Sequence, residues 1–144
     1  MNDTQYAPSP SERVREQVAA YEATGGAEGG LLNGLPVVVV TTTGAKSGKV
    51  RKTPVMRVER DGRYAAIASY AGNPSNPQWY YNLMAHPEAE LQDGPTVRRV
   101  RARELAGAEK QAWWDIADAL NPAYARYRSS AGRDIPVVLL KPIQ

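Results

Sequence analysis

The chain has 144 residues, enough for one domain with a substantial core, and its 42% apolar and 23% charged content are those of an ordinary globular protein. It has no cysteine and one histidine. That excludes disulfides, thiolate zinc sites, iron–sulfur clusters and cysteine nucleophiles, leaves no donor set for a catalytic zinc, and suits a reducing, cytoplasmic compartment. Net charge is only +3, but the cations gather in two groups: Lys46, Lys49, Arg51, Lys52, Arg57 and Arg60, then Arg98, Arg99, Arg101 and Arg103. The local field favours an acidic small molecule, an anionic surface or nucleic acid.

The start, Met1-Asn2-Asp3-Thr4, is polar and lacks the apolar core of a signal peptide, and no apolar run approaches the roughly 20 residues that span a bilayer. Ser9-Pro10-Ser11-Glu12 reads as a capping box, with Ser9 as N-cap, Pro10 at the first helical position and Glu12 reaching back. The helix is predicted to reach about Thr24 and stop at Gly25-Gly26. Its thin stripe of Val14, Val18 and Tyr21 marks a surface or interface helix. A glycine-rich loop runs to Gly34, so residues 1–34 form an N-terminal helix and loop, and residues 35–144 a second unit.

In that second part, Pro36 to Thr43 is the first strand, and its four successive valines predict burial on both faces. Val50 to Arg60 is the second strand. Asp61-Gly62 is a hairpin signal, and Arg63 to Tyr70 is the third strand. Asn76 as N-cap and Pro77 open a short helix through Met84. Glu88 to Gln92 turns at Asp93-Gly94 into Thr96 to Glu104. Glu109 to Leu120 is a helix carrying Trp113, Ile116, Ala117 and Leu120 at helical spacing. Asn121-Pro122 interrupts it, a second helical piece bears Tyr124 and Tyr127, and Ile135 to Leu140 is the last strand. Six short strands joined by tight turns predict an α+β architecture, a six-stranded antiparallel barrel with flanking helices.

The turn from Thr43 to Val50 holds two glycines, hydroxyls and cations, a composition suited to an anion-binding nest. It is not a nucleotide P-loop: only Ala45, Lys46 and Ser47 separate Gly44 from Gly48, and a strand follows rather than a helix. Catalytic side chains are sparse. His86, in His86-Pro87, sits where a helix gives way to a strand and serves the helix end. Glu88 and Glu90 share a solvated strand face. An enzyme with this inventory needs a bound cofactor to carry the chemistry. Tyr124 and Tyr127, three residues apart, lie on one helix face, from which their hydroxyls can enter a pocket.

Several motifs in order bring a family into view. Thr41-Thr42-Thr43-Gly44-x-Lys46-Ser47-Gly48-x-x-Arg51-x-Thr53-Pro54, Ala68-Ser69-x-x-Gly72, Asn76-Pro77-x-Trp79-Tyr80-x-Asn82-Leu83, His86-Pro87 and Arg133-x-Ile135-Pro136-Val137 together resemble the deazaflavin-dependent nitroreductases of actinobacteria. The resemblance covers about Leu35 to Pro142. It implies a split β-barrel similar to the pyridoxamine-phosphate oxidases. It also implies coenzyme F-420, an 8-hydroxy-5-deazaflavin with a phosphate and a carboxylate-bearing tail, passing hydride to a quinone, nitroaromatic or similar electrophile. By this resemblance Lys46, Ser47, Gly48 and Arg51 hold the phosphate and tail. Thr53 and Pro54 line the ring with Ala68 and Ser69 opposite, Gly72 and Asn76 belong to the same site, and Trp79 and Tyr80 close it. Tyr124, Tyr127 and Ser69 take the catalytic positions, and no metal is implied. Three departures stand out. Asn121 replaces a tyrosine, which changes the acceptor pocket and puts bulky nitroimidazoles in question. Tyr70-Ala71 replaces Lys-Gly, and Ala45 replaces a basic residue, both weakening tail contacts.

Two other readings stay open on sequence: an FMN-dependent oxidoreductase on the same barrel, and a non-enzymatic anion- or nucleic-acid-binding module using the two basic groups. The second sits poorly with aromatics concentrated on helices rather than on an exposed sheet. The expected partner is a small electron acceptor, with no nucleic acid. The polar N-terminal helix allows at most peripheral contact with the inner face of a membrane, and the oligomeric state is left open.

Overall fold

The computed structural model describes residues 5–69 and 72–143. The polar start Met1–Thr4, the end of the third predicted strand at Tyr70, and the Tyr70-Ala71 departure lie outside the described residues. In chain order the elements are α1 (Glu12–Thr24), β1 (Leu31–Leu32), β2 (Leu35–Thr43), β3 (Val50–Met56), β4 (Glu59–Arg60), β5 (Arg63–Ile67), α2 (Gln78–Ala85), β6 (Glu88–Asp93), β7 (Thr96–Glu104), α3 (Gly107–Leu120), α4 (Ala123–Ala131) and β8 (Val137–Pro142).

The strands form one antiparallel sheet in the order β1-β2-β6-β7-β8-β5-β4, with β3 also paired to β2. The sheet curls until β3 comes beside β5 without a ladder between them. This is the expected α+β architecture of a curled antiparallel sheet, with eight strands among the described residues in place of six: β1 was not announced, and β4 is the far end of the second predicted strand.

Alternation along the strands divides the core. Val38 and Val40 point inward with Val55, Leu83, Leu91, Val100 and Leu140. Val37 and Val39 point outward under Val18 and Tyr21 of α1. All four valines are at most 2% exposed, which bears out burial on both faces. On the other wall Ala65, Ile67, Val137 and Leu139 lie under Trp113, Trp114, Ala117 and Tyr124 of the C-terminal helices. Each fully buried valine or leucine contributes about 1.5–3 kcal/mol of transfer free energy.

Some boundaries differ from expectation. The N-cap of α1 is Ser11, whose Oγ accepts from the Val14 N–H at 3.3 Å, while the Ser9 Oγ accepts from the Ser11 N–H at 3.1 Å. The second predicted strand breaks after Met56: the Arg57 N–H turns to Pro36 O, Val58 is buried on the α3 side, and Glu59–Arg60 re-pairs with β5. The chain there changes partner, which no alternation pattern reveals. Pro77 rather than Asn76 caps α2, because Asn76 Oδ1 is taken by Arg133. The Asp61-Gly62 hairpin is as expected, with φ of 56° and 79°, the left-handed pair that a two-residue turn of this hand requires.

A polar knot closes one end of the barrel. Asp93 accepts from Arg57 Nε at 3.0 Å and from the Tyr64 hydroxyl at 2.6 Å, and the neighbouring Gly94 N–H donates to the Tyr21 hydroxyl at 2.7 Å. Burial pushes the Asp93 carboxyl up, but the bonds from Arg57 and Tyr64 outweigh it and hold the group below its ordinary value. Burial, then the bond to Asp93, pushes Tyr64 up to about 12. A depressed carboxylate stabilises the fold above its unfolded pKa and loses that contribution as pH falls through the folded one; a raised phenol loses its contribution only as pH climbs towards 12. Asp93→Asn should therefore cost about 1–2 kcal/mol at pH 7, discounted for the partly exposed partners. In urea melts, the gap between parent and variant should close as pH drops below the carboxylate range; a gap independent of pH would show that the charge does not stabilise the knot.

Candidate functional site

Between β3, the β5–α2 connection and the α3–α4 corner lies a cavity of about 610 Å³, a size typical of small-molecule sites. β3 contributes Thr53, Pro54, Val55 and Met56 to its wall. Pro54 has no N–H to give a ladder, which a strand at the split tolerates. Ile67 and Ser69 line the facing wall, and Pro77 and Trp79 enter from the start of α2.

The α3–α4 corner supplies the phenols. Asn121 ends α3 by donating its N–H to Ala117 O, and its Oδ1 accepts the Ala123 N–H at 3.1 Å, which starts α4. Tyr124 and Tyr127 then stand one turn apart, edge to face at 6.1 Å, with Trp114 against Tyr124 at 5.9 Å. Tyr124 is 3% exposed. Burial, then the neighbouring Tyr127, holds its hydroxyl well above the ordinary phenol pKa, with a hydrogen bond from Asn121 opposing.

Ser69 is nearly buried, and its hydroxyl has no protein hydrogen-bond partner among the described residues. Its backbone is fixed instead. Arg133 donates to the carbonyls of Ala68 at 2.9 Å, Ser69 at 3.4 Å, Asn73 at 3.1 Å and Ser75 at 3.0 Å, and to Asn76 Oδ1. The Gly72 N–H donates to Ser69 O, and Gly72, at φ 81°, lies so close to α4 that a Cβ would meet the Ser130 hydroxyl at 2.4 Å. One guanidinium thus holds the loop that presents Ser69.

Of the residues singled out from sequence, Thr53, Pro54, Ser69, Trp79, Tyr124 and Tyr127 line this cavity together. Ala68 is fully buried behind Ser69. Gly72 and Asn76 belong to the Arg133-held loop. The Tyr80 hydroxyl donates to Glu104 at 2.6 Å, and burial and that bond push it up to about 12. Lys46, Ser47 and Gly48 form the exposed β2–β3 turn, outside the cavity lining. Backbone donors there are largely spent: Gly44 on Lys49 O, Ala45 on Asn82 Oδ1, Gly48 on Gly44 O, and Lys49 on the Ser47 hydroxyl. What the turn offers an anion is mainly its exposed lysine side chains. Arg51 donates to Ala7 O at 3.1 Å and straps the N-terminal segment. In the second basic group, Arg99 and Arg101 pair with Glu88 and Arg103 with Glu109, which weakens the field expected from it.

Sequence reasoning passed over Arg13 and Val14 of α1, Leu32, Asn33 and Leu35 beside β1, and Arg126 of α4, all of which line the cavity. Val14 lay on the predicted stripe of α1; the others had no local signal. Among the described residues no three His, Cys, Asp or Glu side chains gather as metal ligands.

The model of the F420H(2)-dependent quinone reductase family matches residues 13–142. An F420H(2)-dependent quinone reductase of Mycobacterium tuberculosis is 34% identical over 131 residues, covering 88% of each chain. A solved F420-H2 dependent reductase is 48% identical over 74% of this chain and 94% of its own, with a TM-score of 0.70. A protein solved as a domain-swapped dimer is 43% identical over 88% of this chain and 92% of its own, with a TM-score of 0.73. The fold alone is shared with a pyridoxamine 5'-phosphate oxidase-like protein of Listeria innocua, 12% identical over 75% of this chain and 84% of that one, with a TM-score of 0.50. That likeness places the curled sheet among split barrels.

The Arg133 anchor predicts that Arg133→Ala speeds amide exchange across residues 72–76 by about tenfold or more and lowers stability by roughly 2–3 kcal/mol, as loss of charge-assisted bonds does. Arg133→Lys should not restore it, since an ammonium lacks the planar fork of donors. Unchanged exchange in both variants would show that the loop is held by other contacts.

Proposed function

The chain belongs to the F420H(2)-dependent quinone reductase family, and we propose that it passes hydride from reduced coenzyme F-420 to a quinone, with nitroaromatics and similar electrophiles as further acceptors. One reduced coenzyme and one quinone give one oxidised coenzyme and one hydroquinone. The observation that carries this reading is the single cavity in which Thr53, Pro54, Ser69, Trp79, Tyr124 and Tyr127 meet from separate stretches of chain. The residues fit such a coenzyme: apolar walls suit a flat ring, and the Ser69 hydroxyl, without a partner among the described residues, suits a polar atom of a ligand. The bound coenzyme supplies a two-electron hydride, because carbon stands where a flavin has N5.

The chain's own residues bind, orient and protonate. Thr53, Pro54 and Ser69 face the ring, Ala68 backs it, Gly72 and Asn76 keep their loop in place, and Trp79 is a wall. Tyr80 fixes α2 to β7 through Glu104. Lys46 and Arg51 would attract the phosphate and tail, with Ser47 and Gly48 shaping the turn that carries Lys46. Burial holds the Tyr124 hydroxyl above the ordinary phenol range, so it keeps its proton at neutral pH, and Tyr124 and Tyr127 donate hydrogen bonds to the acceptor oxygen as negative charge develops there. Residues 35–144 act as the coenzyme-binding unit, and 1–34 add part of the rim. Among the described residues no helix is long and apolar enough to cross a membrane, so contact with a membrane-held quinone would be peripheral.

A titration against oxidised deazaflavin, FMN and FAD tests the cofactor: tight deazaflavin binding and turnover of menadione are expected. FMN-dependent peroxide production without deazaflavin activity would overturn the reading. Lys46→Ala and Arg51→Ala should each weaken coenzyme binding by about 1.5–3 kcal/mol; unchanged affinity in both removes the basic turn from the site.

Tyr124→Phe or Tyr127→Phe should lower quinone turnover by roughly 10²-fold with little change in coenzyme affinity, as loss of an oxyanion donor does. Because the Tyr124 pKa is raised, its proton is kept to high pH, and turnover should show no loss from this group up to about pH 10. A double phenylalanine variant with parental kinetics would assign both rings to packing alone.

A further inference from the structure

The cavity is graded from floor to rim. Pro54, Ser69, Trp79 and Tyr124 are buried, whereas Arg13 and Arg126 are exposed. These two arginines are the charged residues that line it; no aspartate or glutamate does. They come from opposite ends of the chain, Arg13 from the first turn of α1 and Arg126 from α4. Neither lies within ion-pair distance of a carboxylate among the described residues, although Lys52, Arg57, Arg99, Arg101, Arg103, Lys110 and Arg128 all do. Among the described residues Arg13 donates to Gln17 Oε1 alone, at 3.0 Å. Seven of the eighteen lysines and arginines are paired in this way among the described residues; the two at the rim are not, and they are the ones that face the cavity.

We infer that the acceptor is an electrophile with an acidic group, a quinone bearing a carboxylate on a short arm, whose ring enters the apolar floor while Arg13 and Arg126 hold the carboxylate at the rim. This rests on the reductase reading above and names its substrate class. A guanidinium presents parallel donors that match the two oxygens of a carboxylate, which an ammonium does not. The coenzyme's own anionic tail has other cations available, on the β2–β3 turn outside the cavity lining, so the two rim arginines are surplus to it. The carboxylate takes no part in the reaction; it orients the ring and raises encounter with the site.

The test compares two probes of equal electronics: menadione carrying a propanoate arm at C3, and the methyl ester of the same compound. The intact protein loaded with reduced coenzyme should prefer the acid by about tenfold in kcat/KM at low ionic strength, with the preference shrinking as salt rises. In the Arg13→Gln/Arg126→Gln double variant the acid-to-ester ratio should fall to about one, and each single variant should lose part of it. A ratio near one in the parent overturns the inference while leaving quinone reduction standing. So does a double variant that keeps the ratio but binds the coenzyme more weakly, since the arginines would then serve the coenzyme tail. Calorimetric titration with acid and ester reads the same preference without turnover. A tenfold binding preference that the double variant abolishes, in a protein that reduces neither probe, would keep the acidic-ligand site and remove the reductase reading.

Discussion

Val37, Val38, Val39 and Val40 leave no face of β2 in water, and the placement of the cavity depends on that. Because Val38 and Val40 must point into the barrel, β3 is held in register on the adjoining edge, with Pro54 opposite Val39 and Thr53 opposite Val40. Because Val37 and Val39 must be covered from outside, α1 lies across them through Val18 and Tyr21. That packing brings Arg13 and Val14 to the rim. A strand buried on one face only would have left α1 without a seat, and the cavity without that wall.

The opposite wall uses a different device. Gly72 to Asn76 of the β5–α2 connection, Gly-Asn-Pro-Ser-Asn, have no large apolar side chain to bury, so packing does little to fix them. They are fixed by donors. Arg133 brings a charged fork to carbonyls that would otherwise need water, and charge-assisted bonds are the strong ones. The cation has no carboxylate partner within ion-pair distance among the described residues. It therefore leaves positive potential behind Ser69.

Much of this was legible beforehand, for identifiable reasons. The double burial of β2 follows from an unbroken β-branched run, the Asp61-Gly62 hairpin from its turn chemistry, and the pairing of Tyr124 with Tyr127 from helical spacing after a proline break. Long-range partners were not legible. Nothing local says that Arg133 reaches back to Ala68, or that Asn76 is spent on a side chain rather than on the cap of α2. The strand break at Arg57-Val58 depends on which neighbour each half finds. The basic turn read as an open anion cradle because its glycines and hydroxyls are visible in sequence, while the bonds that occupy its N–H groups, such as Ala45 to Asn82 Oδ1, are not.

The two phenols occupy different environments, and their chemistry should divide accordingly. Tyr124 is buried against Trp114 and bordered by Asn121. Burial disfavours its phenolate, so it holds a proton and offers a fixed donor direction, which is what a developing oxyanion needs. Tyr127 is only half-buried and stands nearer water. Asn121 sets this arrangement from behind. Its side chain starts α4 by accepting the Ala123 N–H, and it lines the cavity beside Tyr124. On the inference drawn above, the two cations at the rim would make charge the basis on which acceptors are selected.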